Sequence, residues 1–264
     1  MPTWRTLTAR ITLFSGPTPS APTISALDLY QKAWGSNPDN FQSGGNPLSV
    51  ATAMGKKGGM TVSCSVQPLR VDFNFGPPPP STDIPDLSFN LIEDAYQLHA
   101  EIVRINEFLE TSVNLGSMSR VGTYIHFVRE AASVEEANKL VTAVMPENYR
   151  ARLTSEEDFV FQVNRPSTSI EVEGVRINCI TKWSVDRFQV FSISVPPGGM
   201  PISDPRVAPF PQSHQFIASS VSFDNNNVPV RFPLSGLQQA SLLRETLASI
   251  ENGQRTMGLG VGGF

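Results

Sequence analysis

Cysteine, histidine and charge are all scarce in this chain of 264 residues. Two cysteines, Cys64 and Cys179, cannot build a disulfide framework, which fits a reducing compartment. The three histidines, His99, His126 and His214, lie far apart. No pair has the i,i+4 spacing of a helical zinc site and no Cys-x-x-Cys stands near them, so the sequence specifies no metal centre. No cofactor-binding motif is present either. Charged residues make up 17%, below the ~25% usual for soluble domains. A formal net charge of −4 argues against a protein that coats nucleic acid. No apolar run approaches the ~20 residues of a membrane-spanning helix, and residues 1–20 lack the apolar stretch of a secretory signal. The expectation from these absences is a cytoplasmic protein without metal, cofactor or membrane contact.

What is present is core material and arginine. Hydrophobic residues make up 40%, with 16 Phe, 4 Tyr and 3 Trp, enough to rule out wholesale disorder. The 20 basic residues divide into 15 Arg and 5 Lys. Arginine is favoured where a planar fork must pair with carboxylate or phosphate; a GC-rich genome gives the same bias.

Alternation predicts a first strand over residues 4–14, with Leu7, Ala9, Ile11 and Leu13 on one face and Thr6, Thr8, Arg10 and Thr12 on the other. Gly16, Pro17 and Pro19 stop it. A helix follows over Thr23–Trp34, ending at Gly35. Residues 36–59, rich in Asn, Gly, Pro and Ser, read as a long loop. Met60–Val66 and Leu69–Phe75 alternate again and form an antiparallel pair around Gln67-Pro68. Pro77–Pro80 make a stiff connector. The best-defined helix covers Ser88–Ser112, its apolar stripe running through Leu91, Ala95, Leu98, Ile102, Ile105, Phe108 and Leu109. A strand over Arg120–Val128 precedes a helix over Ser133–Met145, where Ser133 and Glu136 form a capping box. Asp158–Val195 reads as a meander of four strands, including Ile170–Val172 and a break at Ser184–Arg187. Residues 196–213 form a loop, Gln215–Phe223 a last strand, and Ser235–Ile250 a closing amphipathic helix ended by Gly253.

These elements define an α+β fold: a largely antiparallel sheet with helices on one face. Their order repeats as strand, helix, strands, helix, which suggests two halves of similar plan, 1–112 and 113–252, sharing one sheet. Residues 253–264 read as a mobile Gly-rich tail.

No catalytic motif survives scrutiny. Gly55-Lys56-Lys57-Gly58-Gly59 lacks the hydroxyl residue and the following helix of a phosphate loop. There is no Gly-x-Ser-x-Gly elbow. Glu156-Glu157-Asp158 is a solvated run at a strand start, and Glu171 and Glu173 beside a turn have no lysine at the spacing of a nuclease strand. Cys64 and Cys179 alternate with strand neighbours and read as buried thiols.

The informative feature is distributed over several strands. If the apolar positions face the helices, the other face displays Thr8, Arg10, Thr12, Ser63, Ser65, Arg70, Asp72, Asn74, Tyr124 and His126. Arg10 and Arg70 are suited to phosphate or carboxylate, and Tyr124 and His126 to stacking on a ring. The candidate binding residues are therefore Arg10, Arg70, Asp72, Asn74, Tyr124 and His126. A solvated face with a cross-strand Arg–Asp pair accounts for the same pattern.

The long helix leading into Arg120-Val-Gly-Thr-Tyr-Ile-His-Phe127, with strands behind it, resembles a family of uncharacterised, sporadically distributed bacterial α+β proteins of similar length. The resemblance covers the middle third of the chain and departs from the family's pattern at Thr123, where an arginine is expected, and in the opening Trp4–Phe41 stretch. It implies a fold but no activity, so no residue role is carried over.

The reading favoured by the residues is a non-catalytic accessory subunit of a bacterial multi-protein system, with phage defence as a fitting setting and another protein as its partner. A nucleic-acid or nucleotide binder using the Arg/Tyr/His face is the alternative, and an enzyme with a non-motif site built from Arg10, Arg70, Asp72, Tyr124 and His126 is a third.

Overall fold

The computed structural model describes residues 3–16, 25–43, 50–78, 88–111, 115, 117–150, 160–192 and 212–260. The sequence expectations at Pro17 and Pro19, Thr23, Pro79–Pro80, Ser112, Glu156–Phe159 and 196–211, and in the tail at 261–264, lie outside the described residues.

In chain order the elements are β1 (Arg5–Ser15), α1 (Ala26–Trp34), β2 (Asn40–Gln42), β3 (Ala51–Lys57), β4 (Met60–Gln67) and β5 (Arg70–Gly76). Then come α2 (Ala95–Thr111), β6 (Met118–Ala131), α3 (Val134–Val144), α4 (Glu147–Arg150), β7 (Val160–Asn164) and β8 (Ser167–Thr168). The last elements are β9 (Arg176–Ser192), β10 (Gln212–Asn227) and α5 (Gly236–Met257). The strands form one antiparallel sheet in the order β2-β3-β4-β5-β1-β6-β10-β9-β7, with β8 pairing β9. The fold is α+β. On one side of the central β1–β6 pair, β1 leads through α1 to β3, β4 and β5, and β5 returns beside β1. On the other side, β6 leads through α3 to β7, β9 and β10, and β10 returns beside β6.

Alternation decides which side of each strand is dry. Ile11 and Leu13 on β1, Val62 and Cys64 on β4, Val71, Phe73 and Phe75 on β5, and Val121, Ile125 and Phe127 on β6 are all fully buried on one face. Each such apolar side chain contributes roughly 1.5–3 kcal/mol on burial. The helices cover that face. Leu98, Ile102, Ile105 and Leu109 of α2 enter the same core, and Phe108 meets Phe73 edge-on at 6.0 Å. Trp34 of α1 donates its indole N–H to Glu101 of α2 at 2.9 Å, which satisfies two polar groups buried between the helices. Thr246 of α5 meets Thr123 of β6 at 2.8 Å. On β10, Ser219 donates to the Ala137 carbonyl of α3 at 2.7 Å.

Several expectations need correction. Leu7 does not share the face of Ala9 and Ile11. The β1–β6 register shifts between Thr6 and Thr8, and this bulge turns Thr6 into the core and sends Leu7 to a small cluster with Leu91, Val128 and Ala218 on the opposite face. The 36–59 segment is not one loop, because β2 and β3 extend the sheet there. Gly55 permits this: a Cβ at that position would run into the Tyr30 hydroxyl of α1. Residues 88–94 are not helical. Ile92 bridges Thr6 as a strand-like contact instead, and α2 begins with Asp94 accepting from the Gln97 N–H at 2.9 Å.

Strands β9 and β10 are longer than expected. No turn falls at Ser184–Arg187, because the Asp186 side chain faces Ser220 of β10 and His126 of β6 rather than its own backbone. Ile170–Val172 is not a strand; Ser169 and Glu245 organise it as a bend, with Glu245 accepting from Ser169 at 2.6 Å and from the Ile170 N–H at 2.9 Å. β10 continues through Asn225–Asn227, where Asn227 accepts from the Val121 N–H at 2.6 Å and donates to the Ser119 carbonyl at 3.1 Å. Finally, α5 passes through Gly253 and ends at Gly258, whose φ of 62° is the left-handed C-cap.

Candidate functional site

All six candidate residues lie on the sheet face that the helices leave uncovered. The registers place them: Thr12 opposite Asp72 and Arg10 opposite Asn74 across β1–β5, and Arg10 opposite Tyr124 and Thr8 opposite His126 across β1–β6. Ser63 and Ser65 of β4 sit opposite Asn74 and Asp72.

They are not uniformly accessible. Asp72 is 4% exposed, which corrects the expectation of a fully solvated face. Its carboxylate accepts from the Thr12 hydroxyl at 2.6 Å. Arg70 Nε stands 2.7 Å from one carboxylate oxygen, and Arg10 Nε stands 3.9 Å from the other. The N–H of Arg70 does not point along that short vector, so the contact is an ion pair more than a hydrogen bond. Asn74 donates to Ser63 at 3.4 Å.

The arginines also cover the aromatic rings. The Arg10 guanidinium lies 5.5 Å from the Tyr124 ring centre. Phe14, the next open-face position beyond Thr12, is flanked by Arg70 at 5.4 Å and Arg120 at 4.9 Å. The expectation that Tyr124 is a free stacking platform is therefore corrected, because the guanidinium already occupies ring surface. Burial pushes the Tyr124 phenol up from its ordinary value, against the opposing pull of a Ser222 hydrogen bond and of Arg10.

Toward β10 and β9 the character of the face changes. His126 Nε2 is 3.6 Å from an Asp186 carboxylate oxygen. Burial alone would raise the Asp186 carboxyl, but the neighbouring His126, Ser220 and Ser184 side chains outweigh it and hold the group at about 2. His126 also stands 6.3 Å from Phe188, which packs on Phe89 at 4.9 Å. Asp224 sits opposite Tyr124, and Lys182 opposite Ser222. The open face thus divides into a cationic part on β5, β1 and β6 and a part with two carboxylates on β10 and β9.

Sequence reasoning missed Arg120, Phe14 and Asp186. Arg120 and Phe14 were legible, since each continues the alternation that placed its strand neighbours on this face. Asp186 was not, because Ser-Val-Asp-Arg reads locally as a turn. A cavity of about 690 Å³ lies elsewhere, where the 88–94 segment crosses the sheet, lined among others by Arg5, Phe89, Glu93, Gln97, Glu130 and Phe216. It contains none of the six candidates. Among the described residues, no three of His, Cys, Asp and Glu gather into a metal-sized cluster, and no helix is long and apolar enough to cross a membrane. Compared with models of protein families, with curated proteins and with solved structures, the chain matches none.

Proposed function

We propose that this is a non-catalytic binding protein whose open sheet face docks a protein partner, as an accessory subunit of a bacterial multi-protein system acting in the cytoplasm, with antiviral defence as the setting. The observation that carries this reading is the asymmetry of the sheet: the helices pack on one face, while the other presents Arg10, Arg70, Tyr124 and His126 in ordered cross-strand contacts. Arginine and tyrosine held at the centre of a large face are the residue types that concentrate binding energy in interfaces.

Nucleic acid is the less favoured ligand, for two reasons on the same face. Base stacking needs free ring surface, and here guanidinium groups lie over Tyr124 and Phe14. A continuous phosphate backbone crossing the strands would also meet Asp224 and Asp186. A protein surface with both signs of charge suits the divided face better. The test is co-purification with the product of the neighbouring gene, comparing wild type with Tyr124→Ala, alongside titration with a single-stranded oligonucleotide. Co-purification lost in the variant supports the reading. Wild-type retention in Tyr124→Ala, or oligonucleotide binding that depends on Tyr124, overturns it.

A further inference from the structure

Arg120 adds a third guanidinium to the face, and its position gives the site a chemical preference. Across β5, β1 and β6, Arg70, Phe14 and Arg120 stand opposite one another in a row. Arg10 lies two residues along β1 from Thr12, which holds Asp72. Arg70 and Arg10 therefore flank one carboxylate, and Arg120 stands beyond Phe14. Asp72 lies 2.7 Å from Arg70 and 3.9 Å from Arg10, and no ion pair links it to Arg120. Asp224 stands beyond Tyr124 on β10, opposite that ring, and Asp186 is engaged by His126. The Nε atoms of Arg10 and Arg120 are buried without a hydrogen-bond partner among the described residues, whereas Arg70 Nε is ion-paired with Asp72.

The partly exposed outer ends of these side chains carry further N–H donors that can receive a carboxylate. The flanking contacts hold each fork in place: Phe14 supports Arg70 and Arg120, and Tyr124 supports Arg10. Between Arg120 and Tyr124 the strand carries Gly122, which is buried: a Cβ there would stand 3.3 Å from Asn226, so Asn226 closes the space between them. The result is three pre-positioned forks with two positive charges that Asp72 does not compensate.

The geometry points to a receptor site for an acidic peptide segment, whose carboxylates are received by the outer ends of the Arg10, Arg70 and Arg120 forks. This rests on the docking-face reading and names the partner's contribution to it: an exposed run of Asp or Glu. Bidentate pairing of carboxylate with a guanidinium fork supplies the specificity. The carboxylates at Asp224 and Asp186 limit the length of anion the face accepts, which favours a short acidic run over a polyphosphate chain.

The experiment is a fluorescence-anisotropy titration of the full chain with labelled hexaglutamate, and with a labelled twelve-residue oligothymidylate, at low salt. Saturable hexaglutamate binding is expected. Arg10→Ala and Arg120→Ala should each weaken it by about tenfold, with Lys182→Ala, on the other part of the face, unchanged. Arg120→Lys keeps a cation over Phe14 but loses the fork, so it should bind more weakly than wild type at an unaltered melting temperature. Absence of saturable binding, or wild-type affinity in the arginine variants, overturns the proposal. Tighter binding of the oligonucleotide with the same arginine dependence overturns it in favour of a nucleic-acid site. If the peptide ignores the arginines while the neighbouring gene product still requires Tyr124, the docking face stands and its acidic ligand falls. If the peptide needs the arginines but Tyr124→Ala retains the neighbour, the anion site stands and the docking reading falls.

Discussion

Arg10 and Tyr124 face each other across the central strand pair, the guanidinium 5.5 Å from the ring centre. Neither residue belongs to the core, so their contact sets the shape of the open face without carrying the fold. If the proposed docking face binds a protein, Arg10→Ala and Tyr124→Ala weaken that binding by ~1–3 kcal/mol each, as truncated arginine and tyrosine anchors do. Thermal melting should shift little, since a partly exposed cation–π pair contributes only ~0.5–1 kcal/mol. Isothermal titration with the neighbouring gene product, with calorimetric melting as control, measures both.

Asp72 behaves differently from its neighbours because it is buried. Asp72→Ala strands Arg70 and Arg10 and removes the acceptor for Thr12. A destabilisation of ~2 kcal/mol is expected. It falls short of the ~3–5 kcal/mol for a fully buried pair because the Arg70 side chain keeps 30% of its exposure. A urea midpoint equal to wild type would show that solvent fully replaces the carboxylate.

Acid stability depends on Asp186. Its folded-state carboxyl is lowered from 3.8 to about 2, so the stabilisation is present above the unfolded value and lost as pH falls through the folded one. Between about pH 4 and pH 2 the wild type should lose stability more steeply than Asp186→Asn. Urea unfolding at a series of acid pH values checks the slope; parallel curves would place Asp186 outside the linkage.

Core substitutions test the helix-covered face. Leu98 and Ile105 are both fully buried, so Leu98→Ala and Ile105→Ala should each cost ~2–4 kcal/mol. Gly253→Ala is a more pointed case. Alanine ordinarily favours a helix interior over glycine by ~0.5–1 kcal/mol, yet here its Cβ would stand 2.6 Å from the Phe223 ring. The variant should be destabilised despite its better propensity, by ~1–3 kcal/mol as an overpacked site. Chemical denaturation decides the sign.

The two thiols should react in order. Cys64 is buried, and burial, helped by Asp72, pushes its thiol well above the ordinary range. Cys179 is half-buried, with Ser249 at 3.5 Å. Maleimide labelling of the native protein should therefore modify Cys179 first and reach Cys64 only on unfolding. Simultaneous labelling would contradict the assigned burial.

The sequence by itself determined the α+β class, the strands around Arg10, Arg70 and Tyr124, and the face to which those residues belong. A period of two with Val71, Phe73 and Phe75 on one side leaves Arg70, Asp72 and Asn74 on the other, because a one-residue slip would bury the charges. Ser133 and Glu136 likewise marked the start of α3, since capping is local chemistry. Features that depend on distant partners were decided only by tertiary structure. The Leu7 bulge arises from pairing with β6 and from the apolar cluster of Leu91 and Val128. The strand at Ala51–Lys57 exists because α1 and β4 accept it, although its glycine and lysines disfavour a strand. Gly253 lies inside a helix because Phe223 needs the space. Alternation and caps are written in neighbouring residues, whereas bulges, strand extensions and close approaches are fixed by groups far away in the chain, whose packing energy overrides local propensity.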